Sequence, residues 1–355
     1  MASFSPLASR AFPAELVDSV IDYNHSDPNT LMVCALVSKQ WTPSSRYHLF
    51  SRVAIAHDNA RGFAQLLSSP YCTISSVIRG LDIHFVSGSQ RWFTEFSRRL
   101  SLLNNTNITS LGISGPGNTL IRHEAQSALS AFSDRVTDLD VGPVVFEAFA
   151  DFARLLCTFQ VLESLSCAST YQTGDQAEDL QLIAPLRQVQ LVSPSTKLVF
   201  EFLLLQDVLP TITSLSLSYL AVEDYPNLTQ YLKTPNDNLQ SLTIKMDSSF
   251  SGATLNAFMD TLKLTDLRVL SELHLETDPP ISPEQVFHLL DGIVSTQFKN
   301  LDMSAALVQG IARVDILLSS DKFSSLQRVK IIGSSWDDVR QFLSRCSFKN
   351  ILREI

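Results

Sequence analysis

From residue 50 onward the chain repeats one arrangement of apolar positions, apolar-x-x-apolar-x-apolar. It stands as Phe50/Val53/Ile55, Ile78/Leu81/Ile83, Ile108/Leu111/Ile113, Val136/Leu139/Val141 and Leu162/Leu165/Cys167. It continues as Leu186/Val189/Leu191, Ile212/Leu215/Leu217, Leu239/Leu242/Ile244, Leu270/Leu273/Leu275, Phe298/Leu301/Met303 and Leu326/Val329/Ile331. Steps between the middle residues run from 24 to 31 and average about 28. The last two apolar positions of a unit lie two apart, the period at which strand side chains share a face. Each unit therefore predicts a short strand, apolar side inward, with the first apolar residue anchoring the turn into it.

Between these strands lie apolar positions at helical spacing. Examples are Val145-Phe149-Phe152-Leu155-Leu156, Leu255-Phe258-Met259-Leu262 and Val286-Phe287-Leu289-Leu290-Ile293. One strand–helix unit cannot bury its apolar face alone, and stacking unit on unit makes a continuous core. The expected fold class is α/β: over residues 51–355, a solenoid of about eleven units, with a curved parallel sheet inside and helices outside. The closing SFKNILREI is expected to finish the last unit.

Residues 12–50 differ in kind and predict three short helices, preceded by a tail over 1–11. Pro13 suits a helix start. Leu16, Val17, Val20 and Ile21 form an apolar stripe with Glu15, Asp18 and Asp22 off it. Asp27-Pro28 marks a second start, leading into Leu31, Met32, Cys34, Ala35, Leu36 and Val37. A third segment carries Trp41, Arg46, Tyr47, Leu49 and Phe50. So few residues cannot cover all that apolar surface themselves, which predicts cover from another element or another protein.

The order Phe12-Pro13-Ala14-Glu15-Leu16, Ile21, Leu31, Val37-Ser38-Lys39-Gln40-Trp41 resembles an F-box, and the following SSRYHLF is similar to F-box proteins abundant in higher fungi. The chain departs from that pattern at Asn24, where the family usually has Leu. The array resembles leucine-rich repeats in an irregular form, lacking the recurrent Asn or Cys from which regular repeats build a side-chain ladder. The F-box resemblance implies docking on a Skp-family adaptor through Pro13, Leu16, Ile21, Leu31, Val37 and Trp41. It implies a substrate-recognition subunit of a Skp-cullin-F-box ubiquitin ligase, with a target protein held on the array and catalysis carried by partners. The alternative is a repeat scaffold that binds proteins outside ubiquitination, its three helices serving as a terminal cap.

Composition narrows the field. A net charge of −9 argues against nucleic-acid binding, which neutralises phosphates with Lys and Arg. No apolar run is long enough for a membrane span, and the start has no signal-peptide pattern. Cys34, Cys72, Cys157, Cys167 and Cys346 are scattered and unpaired in spacing, the usage of reduced thiols in the cytoplasm or nucleus.

Candidate chemistry is sparse, and the expectation is a protein without catalytic residues, cofactor or metal. Gly112, Gly115 and Gly117 stand in the wrong spacing for a dinucleotide loop, and Pro116 removes a donor, so a strand-to-helix loop is expected. Glu272, His274 and Glu276 alternate along one strand and should share a face, a set able to take a divalent metal or act as acid and base, or simply to face water. Asp302 is the one good further ligand among neighbouring strands. The outward positions Ser164, Ser166, Ala168, Ser214, Ser216, Ser218, Ser241 and Thr243 suggest a small, uncharged floor. Ser166, Ser216, Thr243, Glu272, His274 and Glu276 are the expected target-binding positions.

Overall fold

A computed structural model of the chain describes residues 13–86, 90–101, 107–175, 177, 179–192, 196–234, 238–246, 252–262, 264–278, 280–306 and 310–352. The expected tail and Phe12 lie outside these residues. The strands are β1 (Arg52–Ile55), β2 (Gly80–His84), β3 (Ser110–Ser114), β4 (Asp138–Val141), β5 (Val145–Ala148), β6 (Ser164–Cys167) and β7 (Thr170–Thr173). They continue with β8 (Gln188–Val192), β9 (Ser214–Leu220), β10 (Ser241–Met246), β11 (Glu272–Glu276), β12 (Asn300–Met303) and β13 (Arg328–Ile331). Eleven of them form one sheet, ordered β1-β2-β3-β4-β6-β8-β9-β10-β11-β12-β13, and every pairing is parallel. These eleven are the strands that the apolar triplets predict.

Register follows the apolar residues without a slip between units. Val53 faces Leu81, which faces Leu111, and the line runs on through Leu139, Leu165, Val189, Leu215, Leu242, Leu273 and Leu301 to Val329. A slip of one residue would turn each apolar pair toward water, so the buried side fixes the register. Helices cover that side. They are about twice as wide as the strand spacing, which bends the stack and leaves the strands on its inner, concave side.

Backbone groups do the work of the missing side-chain ladder. The Ser51 carbonyl accepts from both Arg79 N (2.7 Å) and Gly80 N (2.9 Å), and the Arg79 carbonyl from Thr109 N (2.8 Å) and Ser110 N (3.0 Å). The same double acceptance recurs at Thr109, Thr137, Glu163, Arg187, Thr213, Gln240, Ser271 and Lys299. Each of these residues directly follows the first apolar residue of its triplet. That residue anchors the turn, and the next carbonyl spends both lone pairs on the neighbouring unit. At the far edge, Val329 N donates to Ile351 O (2.7 Å), and Leu352 bridges Val329, so these two residues lie along the outer edge of β13, while residues 353–355 of the closing segment lie outside the described residues.

One helix starts later than its spacing suggests. Val145 belongs to β5, which pairs with β7 in a separate two-stranded sheet, and the helix Phe149–Thr158 begins only after it. Phe146 points into the core at the strand period, so a strand and a helix follow each other within one apolar run.

The N-terminal helices are α1 (Ala14–Tyr23), α2 (Pro28–Val37) and α3 (Thr42–Phe50). Asp27 caps α2, accepting from Asn29 N (3.0 Å), Thr30 N (3.2 Å) and Thr30 Oγ1 (2.6 Å). Asn24 ends α1, its side-chain amide donating to Val20 O (2.7 Å). The bundle has its own small core of Val17, Ile21 and Leu31, with Trp41 and Leu49 packed on it. Phe50 packs against the array core instead. Two consecutive residues, Leu49 and Phe50, thus serve one core each.

Candidate functional site

The stripe on α1 splits in two. Val17 and Ile21, four residues apart, point inward and are buried, whereas Leu16 and Val20, also four apart, are exposed. On α2 the residues from Leu31 to Val37 are apolar on all sides. Leu31 and Cys34 are buried, while Met32, Val33, Leu36 (88% exposed) and Val37 (62% exposed) face outward. Tyr23 on α1 and Tyr47 on α3 are exposed as well.

The six expected docking residues therefore have different settings. Pro13, Leu16 and Val37 are exposed and Trp41 is half-buried against the bundle core. Ile21 and Leu31 have essentially no exposed surface, which corrects the expectation that they offer surface to a partner; they hold the bundle together. Val20, Met32, Val33 and Leu36 lie on the surface in their place. Periodicity could have separated the two sets only with knowledge of which face α3 covers.

On the concave side, Ala54, Asp82, Gly112, Asp140, Ser166, Gln190, Ser216, Thr243, His274, Asp302 and Lys330 stand in one row across the sheet. Ser166, Ser216 and Thr243 are thus placed as expected, half-buried on the open face. The floor is less uniform than expected, because Gln188 and Gln190 of β8 stand between the two serine strands.

Toward the C-terminal end the face is charged and crosslinked. Glu272, His274 and Glu276 share the face as expected, and each carboxylate has a partner. Asn300 Nδ2 donates to Glu272 Oε1 (2.7 Å), Lys245 Nζ lies 3.0 Å from Glu276 Oε2, and Arg328 Nη2 lies 3.1 Å from Asp302 Oδ2. Hydrogen bonding to Lys245 holds the Glu276 carboxyl below its ordinary value, against an opposing contribution from burial. His274 sits between two acids, with Nδ1 3.5 Å from Asp302 Oδ2 and Nε2 3.6 Å from Glu276 Oε2. Among the described residues, no three His, Cys, Asp or Glu side chains are grouped to hold a metal ion. Lys245 and Arg328 thus pair the Glu276 and Asp302 carboxylates on either side of His274.

No family model and no curated protein matches the chain. Among solved structures, one from the Rad7 and Elc1 complex in yeast is similar over 96% of this chain and 90% of its own, at 12% identity and a TM-score of 0.38. A protein from Bacteroides fragilis is similar over 85% of this chain and 72% of its own, at 13% identity and a TM-score of 0.37. Likenesses this distant say nothing of activity or partners.

The opposite end of the face holds an arrangement that spacing did not reveal. Arg52 Nε lies 2.7 Å from Asp82 Oδ2 and Arg52 Nη2 lies 2.5 Å from Asp82 Oδ1, a two-pronged ion pair between adjacent strands. It lies over Gly112, which belongs to β3 and not to the loop expected for it. The hydrogen bond to Asp82 raises the affinity of the Arg52 guanidinium for its proton. Asp138 and Asp140 stand on the next strand, making this end of the face acidic. No helix among the described residues is long and apolar enough to cross a membrane.

Proposed function

We propose that the chain is a substrate-recognition subunit of a Skp-cullin-F-box ubiquitin ligase. The observation that carries this reading is the uncovered apolar surface of α1 and α2. A helix that is apolar all round belongs in an interior, yet α2 presents Met32, Val33, Leu36 and Val37 to water. Burying such side chains is worth up to roughly 1.5–3 kcal/mol each, and surfaces of this kind mark protein interaction sites. The F-box resemblance supplies the partner, a Skp-family adaptor, and through it a cullin ligase acting in the cytoplasm or nucleus.

In this reading the array binds the target protein and performs no chemistry of its own. One stiffly coupled stack joins the two surfaces, so that target and ligase are held at a set distance and orientation. The test is co-purification of the full chain with a Skp-family adaptor, beside the full chain carrying Leu36→Glu. Capture by the first and loss in the second is the expected result. A full chain that captures no adaptor overturns the reading in favour of a protein-binding scaffold outside ubiquitination.

A further inference from the structure

Where strands β9 to β13 end, the open side of the sheet forms a cleft of about 320 Å³. Its near wall is Tyr219. Strand β9 pairs with β10 in step up to Leu217 and Ile244, and then Leu220 faces Met246, so β9 carries one extra residue. This bulge places Tyr219 at φ +59°, a left-handed conformation rare for a bulky residue, and leaves the residue 64% exposed along the cleft. Buried Met246 and Ala305 contribute apolar lining. The β11–β12 side is fixed by backbone bonds from Ile281 N to Ser304 O (3.0 Å) and from Ala306 N to Ile281 O (2.9 Å). The cleft is therefore preformed.

Its charge is unbalanced. Glu276 and Asp278 line it beside Lys245, which is already paired with Glu276 at 3.0 Å, and His274 Nε2 lies 3.6 Å from that same Glu276 carboxylate. Among the described residues no ion pair forms at Asp278. The distance across five strand ends is about 19 Å, the span of roughly six extended residues. An exposed aromatic ring and the one unpaired carboxylate, that of Asp278, in the same cleft attract a cationic side chain through the ring face and the excess negative charge. The same excess, in a chain of net charge −9, disfavours a polyanion.

We propose that this cleft binds an extended protein segment of about six residues, bringing an Arg or Lys side chain to Tyr219 and the Glu276 and Asp278 carboxylates. The proposal rests on the array being the target-binding part of the protein, and not on adaptor docking.

The test is fluorescence anisotropy of the full chain, without adaptor, against labelled hexapeptides of Ala, Ser and Val with one position set to Arg, Lys, Ala or Glu. Arg and Lys peptides are expected to bind, more weakly at high salt, and Glu peptides not to bind. Tyr219→Ala and Asp278→Asn should each lower affinity at least fivefold, and Tyr219→Phe should retain it. Tyr219→Gly, which accepts the positive φ, should lose the peptide without a lower melting temperature. No preference for a cationic residue, or unchanged affinity in both Tyr219→Ala and Asp278→Asn, overturns the proposal. Because adaptor is absent from this assay, failure here leaves adaptor capture standing, and failed capture leaves peptide binding standing.

Discussion

The carboxylate of Asp82 fills the space that a side chain on Gly112 would need, and Arg52 grips that carboxylate with both prongs of its guanidinium. A side chain here would have to displace that ion pair, since β3 itself is regular. Gly112→Ala should push Asp82 off Arg52 and cost about 0.5–1 kcal/mol, the worth of a partly exposed ion pair whose members can move aside. A lower urea midpoint would show it. In an Asp82→Ala background the cost should vanish, because the obstruction is gone.

Exposed and buried apolar residues of the N-terminal bundle should separate in experiment. Leu36→Glu should change stability by no more than about 0.5 kcal/mol, since its side chain already faces water. It should nonetheless abolish adaptor capture. Ile21→Ala should cost about 2–5 kcal/mol and unfold the bundle, losing capture for a different reason. Far-ultraviolet circular dichroism beside co-purification distinguishes the two outcomes.

Burial pushes the Cys157 thiol up to about 11 from an ordinary value near 9. The thiolate is the species that alkylates, so its share at a given pH falls as the folded-state pKa rises. Iodoacetamide labelling of Cys157 in the folded chain should therefore speed up about tenfold per pH unit from 8 to 10. A rate that levels off near pH 9, read by mass spectrometry of the Cys157 peptide, would contradict this.

Asp315, buried in the helix Ile311–Leu318, accepts from the amides of Arg345 and Cys346, both at 2.9 Å, at the start of the helix Ser344–Phe348. Asp315→Ala leaves those amides unmatched and should cost about 2–4 kcal/mol. The Val329 amide, which bonds to Ile351 just beyond that helix, should exchange its hydrogen faster. Asp315→Asn keeps one acceptor and should lose less.

The main sheet was legible because each strand is buried on one side only. Alternation then places Leu81 and Ile83, or Leu273 and Leu275, at the strand period, and a parallel stack has one register that buries them all. Features that depend on contacts between distant residues were not legible. Val145 lies in an apolar run that reads equally as strand or helix, and only its partner Thr170 decides. The extra residue at Tyr219 looks like ordinary strand sequence, SLSLSYL. Leu16 and Val17 are equally apolar, and only the position of the neighbouring helices turns one outward and the other inward. The Arg52–Asp82 pair joins residues thirty positions apart, with nothing in either strand to announce it.

Ten successive carbonyls, from Ser51 to Lys299, link each unit to the next through backbone atoms that every amino acid except proline possesses. Regular side-chain ladders forbid most changes at the rung. Here the rungs are Ser, Arg, Thr, Glu, Gln and Lys, and substituting one for another leaves the link intact. The concave positions beside them carry structural duty only where an ion pair or hydrogen bond crosses between strands. Such a frame can exchange the residues that meet a partner without renegotiating its own stability, so a new specificity needs no new scaffold.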